Sequence, residues 1–167
     1  MAKTAGELKT NAVRILDQAG INYELRQYDV DETDLSAETV AVKIGLPAEQ
    51  VFTTLIAEGD HTGFLFALLP AGTELDPRSL ARASGNKKVE LVPLRDVQAV
   101  TGYVRGGVSP LAAKKGYPVY IDETVQLWDV VSISAGIRGL QVLLAPNDLI
   151  RITDGTLADL LRLTDST

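Results

Sequence analysis

Residues 50–70 read "QVFTTLIAEGDHTGFLFALLP", and the fold class turns on this stretch. Two runs of apolar and β-branched residues flank "EGDHTG", a cluster of turn formers, which is the pattern of a β-hairpin. The strands fall near 51–57 and 64–69. Both are apolar on two faces, which places them centrally in a sheet. Thr53 and Thr54 interrupt the first run. Neighbours on a strand point to opposite faces, so one threonine joins Val51, Leu55 and Ala57 and the other joins Phe52 and Ile56. Threonine is β-branched and suits a strand; the sharper alternative is that one of the two positions lines a site.

Working outward, Thr4 and Glu7 match a capping box. Leu8, Ala12, Ile15, Leu16 and Ala19 recur at helical spacing before Gly20. "INYELRQY" (21–28) reads as a strand that leaves Tyr28 on its polar face. A short helix is expected over 36–44, ended by Gly45 and Pro47. Asp76 and Pro77 start a helix that runs to Ser84 and stops at Gly85. A further short helix spans 93–101. Residues 102–118 read as a loop before a strand near 119–121. "LWDVVSIS" (127–134) and "GLQVLLA" (139–145) read as strands joined by "AGIR". A turn at "PNDLI" (146–150) and a last helix over 156–163 close the chain. Hairpins mixed with helices lack the regular alternation of a doubly wound fold. The expectation is α+β: a single domain over 1–167 with a mixed, mainly antiparallel sheet and flanking helices.

The chain has 167 residues, 46% of them hydrophobic and 23% charged, the composition of an ordinary globular protein. The start shows no apolar core of a secretory signal, and no run reaches membrane-spanning length. A cytoplasmic protein that uses no membrane is expected. Cysteine is absent, which excludes disulfides, thiol catalysis and cysteine-ligated zinc. A formal net charge of −6 argues against indiscriminate nucleic-acid binding. The charge is uneven: residues 29–38 carry five acids and no base, whereas 78–88 carry four bases and no acid. Residues 103–117 add Arg105, Lys114 and Lys115. If the basic segments converge they form a surface for an anionic ligand; otherwise they are solvated faces.

The chemistry that is missing is informative. The single histidine, His61, sits in the hairpin turn, where an exposed role outweighs that of a catalytic base. There is no phosphate-binding glycine loop, no dinucleotide fingerprint and no metal-ligand set, so neither cofactor nor metal is expected. An enzyme of this composition would work by positioning, by backbone donors or with help from its substrate. Two loops could supply donors. In "RGGVSP" (105–110), Gly106 and Gly107 leave backbone amides bare, with Ser109 and Pro110 alongside. In "SISAGIRG" (132–139), Ser134, Gly136 and Gly139 surround Arg138, a bidentate partner for phosphate or carboxylate. Each loop alone also reads as a tight turn.

Three ordered motifs, "GNKKVEL", "TGYVRGGVSPLAAKKG" and "SAGIRGLQVLLAPNDLI", resemble the YbaK/EbsC family of trans-editing aminoacyl-tRNA deacylases, relatives of the prolyl-tRNA synthetase editing domain. The resemblance spans nearly the whole chain and is nearest to the branch that removes cysteine from proline tRNA. It implies a curved mixed sheet, the 3′ end of an aminoacyl-tRNA as partner and prolyl-tRNA synthetase as a possible second one. It implies that Gly106 supplies a catalytic backbone donor near the scissile carbonyl. Tyr28, Thr54, Gly107, Ser109, Pro110, Ser134, Gly136 and Arg138 would surround the substrate. It further implies that the substrate's own thiol attacks its ester, giving a cyclic thioester and free tRNA.

The sequence departs from the family at three places. Leu35 stands near a family aromatic, and Gln141 near an aspartate of some members. Thr53 occupies the position of the family's functional lysine. A lysine reaches farther and brings a cation; Lys43, Lys87 and Lys88 are candidate replacements. Lost activity, shifted chemistry or a deliberately introduced substitution would each account for Thr53, and the alternative to an active deacylase is a catalytically silent module that binds aminoacyl-tRNA or a synthetase.

Overall fold

The computed structural model describes residues 8–113 and 115–163. Its first half contains α1 (Asn11–Gln18), β1 (Tyr23–Gln27), α2 (Ala37–Ile44), β2 (Phe52–Gly59), β3 (Gly63–Pro70) and α3 (Pro77–Ser84). Then come β4 (Val89–Leu91), α4 (Val97–Thr101), β5 (Val119–Asp122), β6 (Val131–Ser134), β7 (Leu140–Leu144), α5 (Pro146–Thr153) and β8 (Thr156–Ala158). The expected α+β class with a mixed, mainly antiparallel sheet and flanking helices holds.

The hairpin is the centre of a five-stranded sheet of order β4-β2-β3-β5-β8. Its register runs from Phe52↔Pro70 to Gly59↔Gly63. Only β5 pairs in parallel, with β3 on one side and β8 on the other. Both faces of the hairpin are covered, which is why its strands are apolar throughout. Phe52, Ile56, Phe66 and Leu68 join one core with Val131, Ile133 and Val142. Ala57, Leu65, Ala67 and Leu69 join another with Leu80 of α3. Each such large side chain contributes about 1.5–3 kcal/mol by leaving water.

The sheet divides into two ladders. A second, three-stranded antiparallel sheet has the order β1-β7-β6. One isolated parallel bridge, Val51↔Ser132, links it to the first. From that bridge β2 and β6 diverge, and the fork between them forms the site described below.

Helix starts and stops follow local chemistry. Ser36 caps α2 and Gly45 ends it at φ 76°; Asp76 and Pro77 start α3 and Gly85 ends it. The capping box at Thr4 and Glu7 lies outside the described residues. The cap seen is Thr10, whose hydroxyl oxygen accepts from Val13 N, while its hydrogen goes to Ala135 O at 2.6 Å.

The C-terminal expectations are corrected. Residues 146–150 are not a turn but the start of α5, with Pro146 in the first turn, Asp148 near the positive end and Arg151 near the negative end. Residues 156–163 form no helix. Thr156–Ala158 pair with β5, and Leu161 bridges to Leu75. The buried Asp122 enforces this: its Oδ1 accepts from Leu160 N at 2.9 Å and its Oδ2 from the Thr124 hydroxyl at 2.5 Å. Tertiary pairing outweighs the helical propensity of "TLADLLRL". Asp122→Ala leaves the Leu160 amide unpaired, so we expect a loss of about 2–3 kcal/mol, read from urea denaturation, with faster hydrogen exchange at Leu160.

Candidate functional site

β4 pairs with β2 only at Ala57, Glu58 and Gly59. Below that point β2 has an open edge, and a pocket of about 290 Å³ lies along it, at the small end of ligand-pocket volumes. The start of α2, with Leu35, Ser36 and Val40, forms one wall. Leu91, Val92 and Leu94 close the end towards β4, and Leu91 and Leu94 are exposed at the rim. Gly106 and Val108 come from the first glycine loop, and Ser134 and Gln141 from the second sheet.

Thr53 and Thr54 both line this pocket. The sequence poses a choice between the two faces of a strand, but the cavity lies at the strand's edge and wraps around it. Thr53 is on the face of Leu55 and Ala57; Thr54 is on the face of Phe52 and Ile56. The Thr54 hydroxyl oxygen is buried and has no hydrogen-bond partner among the described residues.

Gly106 adopts φ 86°, a backbone conformation that disfavours a side chain. Its geometry is fixed from outside: Arg138 Nε donates to Arg105 O at 2.6 Å. In a planar trans peptide the C=O and the next N–H point oppositely, so this bond also sets the direction of the Gly106 N–H. Gly107 N donates to Val104 O at 2.9 Å and closes the turn. A Cβ on Gly107 would lie 3.1 Å from the Ile137 carbonyl carbon. The two glycine loops therefore touch backbone to backbone.

Thr53, Thr54, Gly106 and Ser134 are thus brought together. Tyr28 lines a smaller adjoining cleft that shares Leu35, Val40 and Gly106 with the pocket. Gly107, Ser109, Pro110, Gly136 and Arg138 line neither cavity among those described. Ser109 is buried and accepts from Leu111 N. Gly136 N donates to Ser134 Oγ at 3.1 Å. Tyr103 packs on Gly136 and donates its hydroxyl to Leu111 O; burial pushes this phenol's pKa up, which keeps it a donor.

The lysines weighed as replacements do not reach the pocket. Lys43 lines the smaller cleft and donates to Asp29 O. Lys88 pairs with Glu90 at 2.9 Å on the surface, and Lys87 is exposed. Arg105 is the charged residue that lines the main pocket among the described residues. Its signal in the sequence was a cation leading a pair of glycines. In the adjoining cleft, the Thr39 hydroxyl and then Ser36 hold the Asp34 carboxyl below its usual pKa. His61 is at the far end of the hairpin, exposed and beside Asp60.

The lining contains hydroxyls from Ser36, Thr53, Thr54 and Ser134 but no histidine, carboxylate or lysine. A hydroxyl nucleophile needs an adjacent base, and none of these has one in the pocket. Gln141 Oε1 accepts from Ser132 Oγ at 2.7 Å, which orients that amide. Among the described residues no group of three or more His, Cys, Asp or Glu could hold a metal ion. No helix among them is long and apolar enough to cross a membrane.

A family model for the aminoacyl-tRNA editing domain matches residues 32–152. A protein of Enterococcus faecalis, provisionally named the Cys-tRNA(Pro)/Cys-tRNA(Cys) deacylase EbsC, is 42% identical over 96% of this chain and 98% of its own length. Two solved structures share the fold. One is described provisionally as a trans-editing enzyme for prolyl-tRNA synthetase (TM-score 0.80, 22% identity, 94% of this chain and 100% of that one). The other is a scaffold protein used for computational epitope grafting (TM-score 0.80, 24% identity, 94% and 100%). The chain belongs to the aminoacyl-tRNA editing domain family.

Proposed function

We propose that this member of the aminoacyl-tRNA editing domain family works in trans as a deacylase that removes cysteine from mischarged proline tRNA, with residues 1–167 acting as one editing domain in the cytoplasm. The observation that carries this reading is the pocket's chemistry. Among the described residues its lining carries four hydroxyls and the Gly106 backbone with no histidine, carboxylate or lysine, which favours a nucleophile supplied by the substrate and a donor role for the Gly106 N–H. The cysteinyl thiol attacks the ester carbonyl carbon, a C–S bond forms and the bond to the ribose oxygen breaks. The thiol proton passes to that oxygen, leaving a four-membered cyclic thioester and uncharged tRNA. The protein holds the thiol near the carbonyl and polarises the carbonyl through Gly106 N–H. The name of the Enterococcus relative supports the choice of amino acid and tRNA.

Arg138 acts as a positioning residue in this account. Arg138→Met frees the Arg105 carbonyl and lets the Gly106 donor turn. We expect kcat to fall about tenfold, somewhat less than deletion of an oxyanion donor, with KM little changed. An unchanged kcat would remove Arg138 from the site.

Thr53 in place of lysine favours a second reading, a silent module that still grips the 3′ end of aminoacyl-tRNA, alone or with prolyl-tRNA synthetase. Deacylation and filter binding of cysteinyl-tRNA(Pro), measured together, separate the two. Binding without deacylation by this chain and by Thr53→Lys selects the module.

A further inference from the structure

We propose that the open edge of β2 at Thr54 is a clamp for the aminoacyl backbone: the Thr54 N–H and C=O bind the carbonyl and α-amino group of the substrate as a neighbouring strand would. This rests on the deacylase reading and adds the element that recognises what every aminoacyl ester has in common.

The clamp follows from where pairing stops. At one end the last β4 pair is Ala57↔Leu91; Val92 N then donates to Ile56 O at 3.0 Å, and Pro93 turns the chain away. At the other end β6 meets β2 at the single bridge Val51↔Ser132. Between these points this edge of β2 has no strand neighbour among the described residues. Peptide groups alternate in direction along a strand. The Ile56 carbonyl addresses the β4 side, and the Val51 carbonyl addresses the opposite side, where it accepts from Ala71 N at 2.7 Å. By that alternation Thr54 turns both its N–H and its C=O towards the open edge, in the pocket it lines. Its buried hydroxyl also has no hydrogen-bond partner among the described residues.

Unpaired backbone groups away from bulk water are costly and call for a partner. A residue that presents N–H and C=O to one side pairs with a group that offers an acceptor and a donor flanking one carbon. That is the hydrogen-bonded pair of an antiparallel ladder. An aminoacyl ester has this pattern in its carbonyl and α-amino group, so a single residue adds to the sheet edge in the manner of strand addition.

The test uses two amide-linked analogues of the charged 3′ end. One is adenosine with cysteine attached through a 3′-amino group; the other carries 3-mercaptopropionate and lacks only the α-amino group. Both are titrated into ¹⁵N-labelled protein. The free-amine analogue is expected to bind at least tenfold tighter and to shift the Thr54 amide resonance. Equal affinities, an unmoved Thr54 resonance at saturation, or no binding by either analogue would overturn the clamp. Deacylation of cysteinyl-tRNA(Pro) is measured in parallel. Hydrolysis without amine preference would sink the clamp and leave the deacylase reading intact; amine preference with a shifted Thr54 amide but no hydrolysis would sustain the clamp and refute that reading.

Discussion

Gly106→Val is expected to lower the single-turnover rate of deacylation about a hundredfold, while the protein still unfolds cooperatively. The glycine sits at φ 86°, where a residue with a Cβ is strained by roughly 1–2 kcal/mol. Space is not the main obstacle. An added Cβ would stand 3.4 Å from Arg138 Cγ and 3.5 Å from Leu35 Cδ1, which is ordinary contact for the first carbon. The chain relieves the strain by turning the 105–106 peptide, and this moves the donor that the proposed mechanism uses to polarise the scissile carbonyl. The branched side chain also projects into the region between Leu35 and Arg138. Thermal unfolding should fall by only a few degrees, because the loop lies at the surface of the pocket. A fully active Gly106→Val protein would remove the backbone donor from the account.

Thr53→Lys is expected to move the rate the other way, by about tenfold, the equivalent of one charge-assisted hydrogen bond of about 1.4 kcal/mol gained in the transition state. Thr53 lines the pocket on the same edge as Thr54. The only charge among the described lining residues is Arg105, on the opposite loop, and the lysines considered as substitutes are engaged or exposed elsewhere. A lysine at 53 would bring a cation to the side of the pocket that lacks one and reach farther than the threonine hydroxyl. The lining is mostly apolar, so the new ammonium must keep a path to water or a phosphate. Single-turnover rates of the two proteins on the same charged tRNA decide the matter. Equal rates would mean that residue 53 takes no part in the chemistry.

The hairpin, the caps and the central position of β2 and β3 were legible because each rests on local chemistry. Ser36, Gly45, Asp76, Pro77 and Gly85 act within a few residues of where they stand, and a strand buried on both faces must be apolar on both. The C-terminal segment was not legible. Its "TLADLLRL" has helical spacing, and what overrides it is Asp122, 38 residues away, accepting from Leu160 N. β4 was missed for a similar reason: "VEL" is three residues long and becomes a strand only against Ala57–Gly59. The site was partly legible. Glycine pairs and a lone arginine marked the two loops, but not their division of labour. Ser109 and Gly107 hold the loops together and Arg138 steers a peptide, while Arg105, Gly106, Val108 and Ser134 line the pocket. Nor could a pattern of alternating faces show that the pocket lies at a strand edge, where Thr53 and Thr54 both reach it.

The most direct test compares proline tRNA charged with cysteine and with serine, under single-turnover conditions, using the unaltered chain. The two esters differ only in sulfur against oxygen, so any protein-borne nucleophile would treat them alike, whereas a thiol supplied by the substrate is present in one alone. Deacylation of the cysteinyl ester well above the uncatalysed rate, with the seryl ester left at its background rate, is the predicted result. Equal acceleration of both esters, or of neither, would contradict the account.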